Sequence, residues 1–274
     1  MLHTMQSGPV IELRGVYKRF PTASGGSYTA LRDLSFYVNE GEFCAVVGPT
    51  GCGKSTTLGL ISGLEPPSLG EVTVFGKPVH GIVDGVGYMF QTDSVFPWRD
   101  ALSNVMAGPR FHGVSKQEAA EKARDWLTRV GLEGFEHYYP HQMSGGMRKR
   151  LALAQTLINE PKVLLMDEPF SALDVQTRAL MENELLGLWS SLKASVVFIT
   201  HDLEEAIALA DRVFVMTAGP GTLKGAYTID LPRPRNVSEI RFNPRFVQLY
   251  QEIWEDLREE VLVSYERAKH RLAS

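Results

Sequence analysis

Two cysteines, Cys44 and Cys52, are all that the 274 residues carry, too few and too close together for the disulfide framework of a small secreted domain. Long apolar runs are missing as well. The longest, such as Phe43 to Val47 and Ala206 to Ala210, fall far short of the ~20 residues that span a bilayer. If a membrane matters to this chain, another chain crosses it. There is no excess of positive charge: 28 Lys and Arg stand against 32 Asp and Glu, and no nucleic-acid partner is implied. Internal repeats and low-complexity tracts are absent, and the opening residues carry no apolar leader, so a reducing cytoplasmic setting is expected. What is present is an ordinary globular composition, 44% hydrophobic and 22% charged, with length for one large or two small domains. Intrinsic disorder is excluded.

Strand and helix patterns alternate along the chain. Val10 to Val16 and Leu31 to Val38 alternate apolar and polar residues around a Gly/Ser-rich turn from Ser24 to Ser27, which predicts an antiparallel hairpin. Phe43 to Val47, Val163 to Met166, Val196 to Ile199 and Val213 to Met216 are short continuous apolar runs, the mark of strands buried on both faces of a parallel sheet. Helical patterns over 55–61, 116–130, 146–159, 175–192 and 203–210 separate them, so the expected fold is α/β. Ser115 with Glu118, and Asp202 with Glu205, stand at capping-box spacing. Between Thr92 and Met143 the chain reads as mainly helical. After Pro232 and Pro234 comes a linker and then a long amphipathic helix, with Phe246, Tyr250, Ile253, Leu257, Val261 and Tyr265 along one face. The expected division is a main domain over 1–235, carrying a helical insert at about 92–160, followed by a helical extension over 236–274.

Gly48-Pro49-Thr50-Gly51-Cys52-Gly53-Lys54-Ser55 has the order glycine, four residues, glycine, lysine, hydroxyl, and it joins a buried strand to a helix. Backbone N–H groups and the helix dipole converge in such a loop on a polyphosphate, with Lys54 placed for the β- and γ-phosphates and Ser55 for Mg²⁺. Cys52, among those N–H groups and beside Lys54, is expected to carry an acidified, reactive thiol. A second apolar strand ends in Asp167-Glu168, the former suited to holding Mg²⁺ and the latter to polarising an attacking water. His201 follows a third strand and Gln91 closes a fourth, Val86 to Phe90, at the carboxyl ends where α/β sheets collect ligands. The Gln91 amide is placed for Mg²⁺ or the lytic water. Met143-Ser144-Gly145-Gly146-Met147-Arg148 then opens a helix striped with Leu151, Ala154, Leu157 and Ile158, a second anion site in one chain. One polyphosphate does not need both.

With the Ser171-Ala172-Leu173-Asp174 turn added, these motifs stand in an order and spacing that resembles the nucleotide-binding subunits of ATP-binding cassette (ABC) transporters, over about Val10 to Pro232. The resemblance implies a P-loop NTPase core with a mainly parallel sheet, an antiparallel β subdomain and an inserted helical signature subdomain. It implies ATP and Mg²⁺, with Phe20, Gly48, Pro49, Thr50, Gly51, Cys52, Gly53, Lys54, Ser55 and Thr56 on the nucleotide and Ser55, Gln91 and Asp167 on the metal. Phe20 is the expected adenine-stacking ring, with Tyr17 as the alternative. Glu168, His201 and Gln91 are implied as catalytic. Ser144, Gly145, Gly146 and Asp174 are implied to serve the ATP of a second subunit, so that a dimer, most simply a homodimer, is the working unit.

Met147, the Phe96-Pro97-Trp98 run and the Arg233-Pro234-Arg235 stretch look like the nitrate, sulfonate and taurine importer branch. That branch implies transmembrane permease subunits, an extracytoplasmic substrate-binding protein and a peripheral place on the cytoplasmic face of the inner membrane. A soluble ATPase of the same family, such as an iron-sulfur assembly component, and an export or lipid-transport subunit are the other readings. Met143 replaces the usual leucine of the signature and Met147 its frequent glutamine, which removes an amide donor.

Overall fold

The computed structural model describes residues 8–22 and 25–272, so the predicted turn at Ser24 to Ser27 lies partly outside the described residues. The chain begins with β1 (Ile11–Pro21), β2 (Ser27–Val38), β3 (Phe43–Val47), α1 (Lys54–Ser62), β4 (Leu69–Val74) and β5 (Lys77–Pro78). It continues through β6 (Val86–Met89), α2 (Ala101–Phe111), α3 (Lys116–Arg129), α4 (Gly145–Leu157), β7 (Val163–Asp167) and α5 (Val175–Leu192). It closes with β8 (Ser195–Ile199), α6 (Leu203–Leu209), β9 (Arg212–Met216), β10 (Leu223–Thr228), α7 (Val237–Ile240) and α8 (Pro244–Leu272). Two compact units result, one from the chain up to Asp84 together with Ala194 onward, the other from Gly85–Lys193.

In the first unit β3 is buried at all five residues and pairs in parallel with β8 on one side and β9 on the other. β10 adds to β9 antiparallel. Rings fill the space around these strands: Phe43 lies 5.9 Å from Phe198, and Phe36 lies 4.8 Å from Phe214. Burying each such ring contributes about 1.5–3 kcal/mol. Burial also pushes the Cys44 thiol above its ordinary pKa, with the nearby Glu42 carboxylate adding to the effect. A separate antiparallel sheet has the order β2-β1-β4-β5. The β1–β2 hairpin runs further than the alternating pattern predicts, from Ile11 opposite Val38 to Pro21 opposite Ser27. Register shifts between Leu13 and Arg19 break the period of two, and the pattern hides the rest of the strand.

The stretch between the first unit's sheet and α8 is not a loose linker. Arg235, 7% exposed, donates to the carbonyls of Ala210 at 2.7 Å and Leu231 at 3.0 Å, and Arg233 donates to Leu209 at 2.7 Å. These cations satisfy carbonyls at the C-terminal end of α6. Burial lowers the Arg235 pKa to about 10, assisted by the neighbouring Arg233 charge. The first half of α8 packs through Phe246, Leu249, Ile253 and Leu257. The predicted apolar face does not continue to the end: Val261 and Tyr265 are 41% and 68% exposed, because packing stops after Leu257 and polar ties replace it.

In the second unit β6 and β7 pair in parallel, with helices α2 to α5 in the same stretch of chain. Asp100 caps α2 by accepting from Ser103 N–H at 2.8 Å, and Ser115 caps α3 by accepting from Glu118 N–H at 3.2 Å. Asn104, fully buried, accepts from Phe96 N–H and donates to the carbonyls of Phe96, Arg99 and Asp100. That knot fixes the 96–100 loop and leaves Trp98 71% exposed, with its ring 5.7 Å from Phe96.

Candidate functional site

In the first unit the glycine-rich loop leaves β3 and enters α1 at Gly53, whose φ of 104° is open to glycine. A Cβ there would also meet Leu31 Cδ2 at 2.5 Å. Lys54 is buried, and its ammonium donates to the carbonyls of Gly48 at 2.8 Å and Pro49 at 3.2 Å, which lays the charge along the mouth of its own loop. Thr50, Gly51 and Ser55 are exposed and Thr56 is half-buried. Thr57, one residue further, turns inward and donates to the Gly53 carbonyl at 3.0 Å. Cys52 is 1% exposed, with its sulfur packed toward Gly48. The reactive thiol expected from the sequence is therefore a shielded one, because the loop turns this side chain into the protein.

Phe20 and Tyr17 are both half-buried on β1. The Lys18 ammonium lies 4.8 Å above the Phe20 ring and pairs with Glu65 at 2.7 Å. Opposite Phe20 in the hairpin stands Tyr28, whose hydroxyl donates to the Gly51 carbonyl at 3.4 Å. Tyr28 was not legible as a loop neighbour, because the register that brings it there depends on the bulges of β1.

His201 is exposed at the carboxyl end of β8. Its flanks are pinned: the buried Thr200 hydroxyl donates to the Glu205 carboxylate and accepts from Asp202 N–H at 3.0 Å. Asp202 caps α6, accepting from Glu204 and Glu205 N–H groups.

In the second unit Asp167 ends β7, 8% exposed, and Glu168 follows at φ 43°. A left-handed glutamate costs about 1–3 kcal/mol and persists where neighbours hold it. Here Ser171 does so, its N–H and hydroxyl both donating to the Glu168 carbonyl, at 3.3 and 3.0 Å. The Gln91 amide donates to Glu168 Oε2 at 3.3 Å, which brings the strand-end glutamine and the carboxylate together. Burial, with the Asp167 charge nearby, raises the Tyr88 pKa on β6.

Ser144 caps α4, accepting from Met147 N–H at 3.2 Å, and both it and Gly145 are exposed while Met143 is buried. The first cations of α4 are engaged by protein acceptors. Lys149, 4% exposed, donates to the Gln91 carbonyl at 2.7 Å and pairs with Asp93 at 3.0 Å. Arg148 donates to Asp93 at 2.9 Å and to the Met143 carbonyl at 2.7 Å. Burial alone would raise the Asp93 pKa, but hydrogen bonds from Arg148 and Lys149 outweigh it and hold the carboxyl below its ordinary value. Asp174 caps α5 through Gln176 and Thr177 N–H groups, and the Thr177 bond is the main reason its own pKa is lowered. Asp93, Lys149 and Thr200 were missed in the sequence. No spacing rule points to them.

A buried lysine laid into a glycine-cornered strand-to-helix loop is the nucleotide grip of the phosphate-loop NTPases. Among these the chain belongs to the ABC transporter family, whose profile matches residues 31–171, and it is an ATPase of that family. It is 46% identical to an uncharacterized ABC transporter ATP-binding protein of Methanocaldococcus jannaschii, over 88% of this chain and 89% of that protein. It is 43% identical to the nitrate import ATP-binding protein NrtD of Synechocystis, over 85% and 90% of the two chains. With the taurine import ATP-binding protein TauB of Jannaschia the identity is 36%, over 92% and 96%. Among solved structures, an ATP-binding cassette in a dimeric post-hydrolysis state bound to ADP and Pi matches with a TM-score of 0.72 and 29% identity, over 81% of this chain and all of that one.

Proposed function

We propose that this chain is the ATP-hydrolysing subunit of an importer for a small anion of the nitrate, sulfonate or taurine kind, working as a dimer on a separate permease. The observation that carries the reading is the pair of dissimilar helix N-termini: the Lys54 loop at α1, and the exposed Ser144-Gly145 end of α4. The relatives named for nitrate and taurine import support the substrate class. Among the described residues no helix is long and apolar enough to cross a membrane, consistent with a peripheral place on the cytoplasmic face beneath such a permease. The exposed Trp98, set on the Asn104 knot, is the surface offered to it. An extracytoplasmic binding protein would deliver the anion to the permease.

Roles follow from chemistry and placement. Gly48, Pro49, Thr50, Gly51, Cys52, Gly53 and Thr56 shape the loop around the phosphates, Lys54 neutralises the β- and γ-oxygens, and Phe20 stacks on the base. Mg²⁺ fits the donor set, since it is commonly held by one or two protein oxygens plus substrate phosphates. Ser55 hydroxyl, Asp167 carboxylate and Gln91 amide oxygen supply such donors. The metal would neutralise phosphate charge. Glu168, positioned by Gln91, accepts the proton of the attacking water, and His201 donates to the γ-phosphate. Ser144, Gly145, Gly146 and Asp174 act on the nucleotide of the twin subunit, bringing N–H groups and a hydroxyl to its γ-phosphate. Phosphoryl transfer then rests on positioning and charge stabilisation.

Replacing Glu168 with Gln tests the centre of this scheme. Turnover should fall about 10²- to 10⁴-fold, the range for a lost general base, while ATP affinity holds. Unchanged hydrolysis would remove Glu168 from its role. Purification from detergent-solubilised membranes tests the transport arm: a multispanning permease should accompany the chain, whereas soluble partners alone would favour the non-transport branch of the family.

A further inference from the structure

The 217–222 turn between β9 and β10 lies against the back of the phosphate loop. A Cβ on Gly221 would fall 2.0 Å from the Cys52 carbonyl oxygen, so the backbones approach as closely as only glycine permits. Gly221 N–H donates to the Ala30 carbonyl at 2.8 Å, and the Gly221 carbonyl accepts from Arg32 N–H at 2.9 Å. Gly219 stands over the Gly51 carbonyl, which also accepts from Tyr28. The loop is thus held between the first residues of β2 and this turn.

The turn is itself tied to α8. Ala218 N–H donates to Glu260 Oε2 at 2.7 Å, and the Arg267 guanidinium donates to the carbonyls of Ala218 and Gly219. Glu260 also pairs with Lys224 of β10 at 3.0 Å and keeps only 15% of its side chain exposed. Neighbouring ties run from Lys224 to Glu259 and from Tyr227 to Asp256. The apolar anchor of α8, Phe246 to Leu257, lies earlier in the helix, so these polar contacts serve the turn more than the seating of the helix.

We propose that Glu260 and Arg267 are positioning residues of the nucleotide site: α8 braces the phosphate loop through the 217–222 turn, and ATP affinity depends on α8 contacts that never touch the nucleotide. The inference rests on the reading of Gly48 to Ser55 as the ATP loop. Its physical basis is preorganisation. Several N–H groups must converge on one polyphosphate, and a loop that wanders loses affinity to the cost of ordering it.

Equilibrium binding of a fluorescent ATP analogue to the full-length chain tests this, with thermal unfolding without nucleotide measured on the same samples. Glu260→Ala should raise Kd about 3- to 10-fold, the scale of the net contribution of one ordinary hydrogen bond, and Arg267→Ala should raise it by a smaller factor. Glu260→Gln keeps an acceptor for Ala218 N–H and should restore most of the affinity. Wild-type affinity in Glu260→Ala overturns the proposal, as does a lowered unfolding temperature with unchanged Kd. Should Glu260→Ala fail to fold, Arg267→Ala decides in the same way. The underlying reading fails separately, if the wild type does not bind the analogue or if Lys54→Ala binds it as the wild type does.

Discussion

The helix N-termini of α1 and α4, the two ends proposed to meet phosphate, are built in opposite ways. α1 has no side-chain cap, since Gly53 has none to give, and the first residue of the helix turns its ammonium back onto the loop carbonyls of Gly48 and Pro49. α4 is capped by its own Ser144 hydroxyl, and its nearest cations, Arg148 and Lys149, are committed to Asp93, Gln91 and Met143. The first end brings its own positive charge to an anion. The second presents a serine cap and a glycine at an exposed surface, as the proposed completion of a twin subunit's site requires. A helix dipole alone therefore does not decide what a terminus binds; where the adjacent cations point decides it.

Three substitutions probe this contrast. Lys54→Ala should weaken ATP affinity most, by about 10- to 100-fold for the lost charge-assisted bonds to phosphate, as read by nucleotide titration. Ser144→Ala should cost about 1 kcal/mol of folding stability through the lost cap, read by chemical denaturation. It should also slow turnover while leaving the affinity of the separate chain for ATP within about twofold, because only neutral contacts are removed. A drop in affinity like that of Lys54→Ala would erase the distinction between the two ends.

Asp93→Asn should have the smallest effect, roughly 1 kcal/mol at neutral pH once solvent screening is allowed for. Its sign with pH is fixed by the lowered folded pKa. The contribution of the carboxylate is fully present above the unfolded value of 3.8 and disappears as pH falls through the lower folded value. Denaturation curves of wild type and variant should converge in acid. A gap that persists below the folded pKa would show that the Asp93 charge is not what Arg148 and Lys149 need.

Much of the candidate site was legible because it is local. Gly48 to Ser55 encodes a turn within eight residues, and Ser115, Ser144 and Asp174 cap helices two or three residues ahead. The buried strands β3, β7, β8 and β9 stood out as apolar runs. What escaped involves partners far apart in the chain. Asp93 meets Arg148 across 55 residues, and Tyr28 reaches Gly51 only through a bulged register. Cys52 and the end of α8 were misread for the same reason: periodicity and motif context say which residues are apolar or reactive in type, not which are covered.

The amino-acid order by itself determined where buried strands would turn into helices, and which side chains of the right chemistry stood at those turns. Such features depend on a few successive dihedral angles and on bonds that span three or four residues. Tertiary structure alone decided which way those side chains face, that the Cys52 sulfur is enclosed, that Thr200 claims Glu205, and that a turn held by α8 presses on the phosphate loop. These outcomes follow from the packing of segments remote in sequence, where close approach and burial are set by the partner surface.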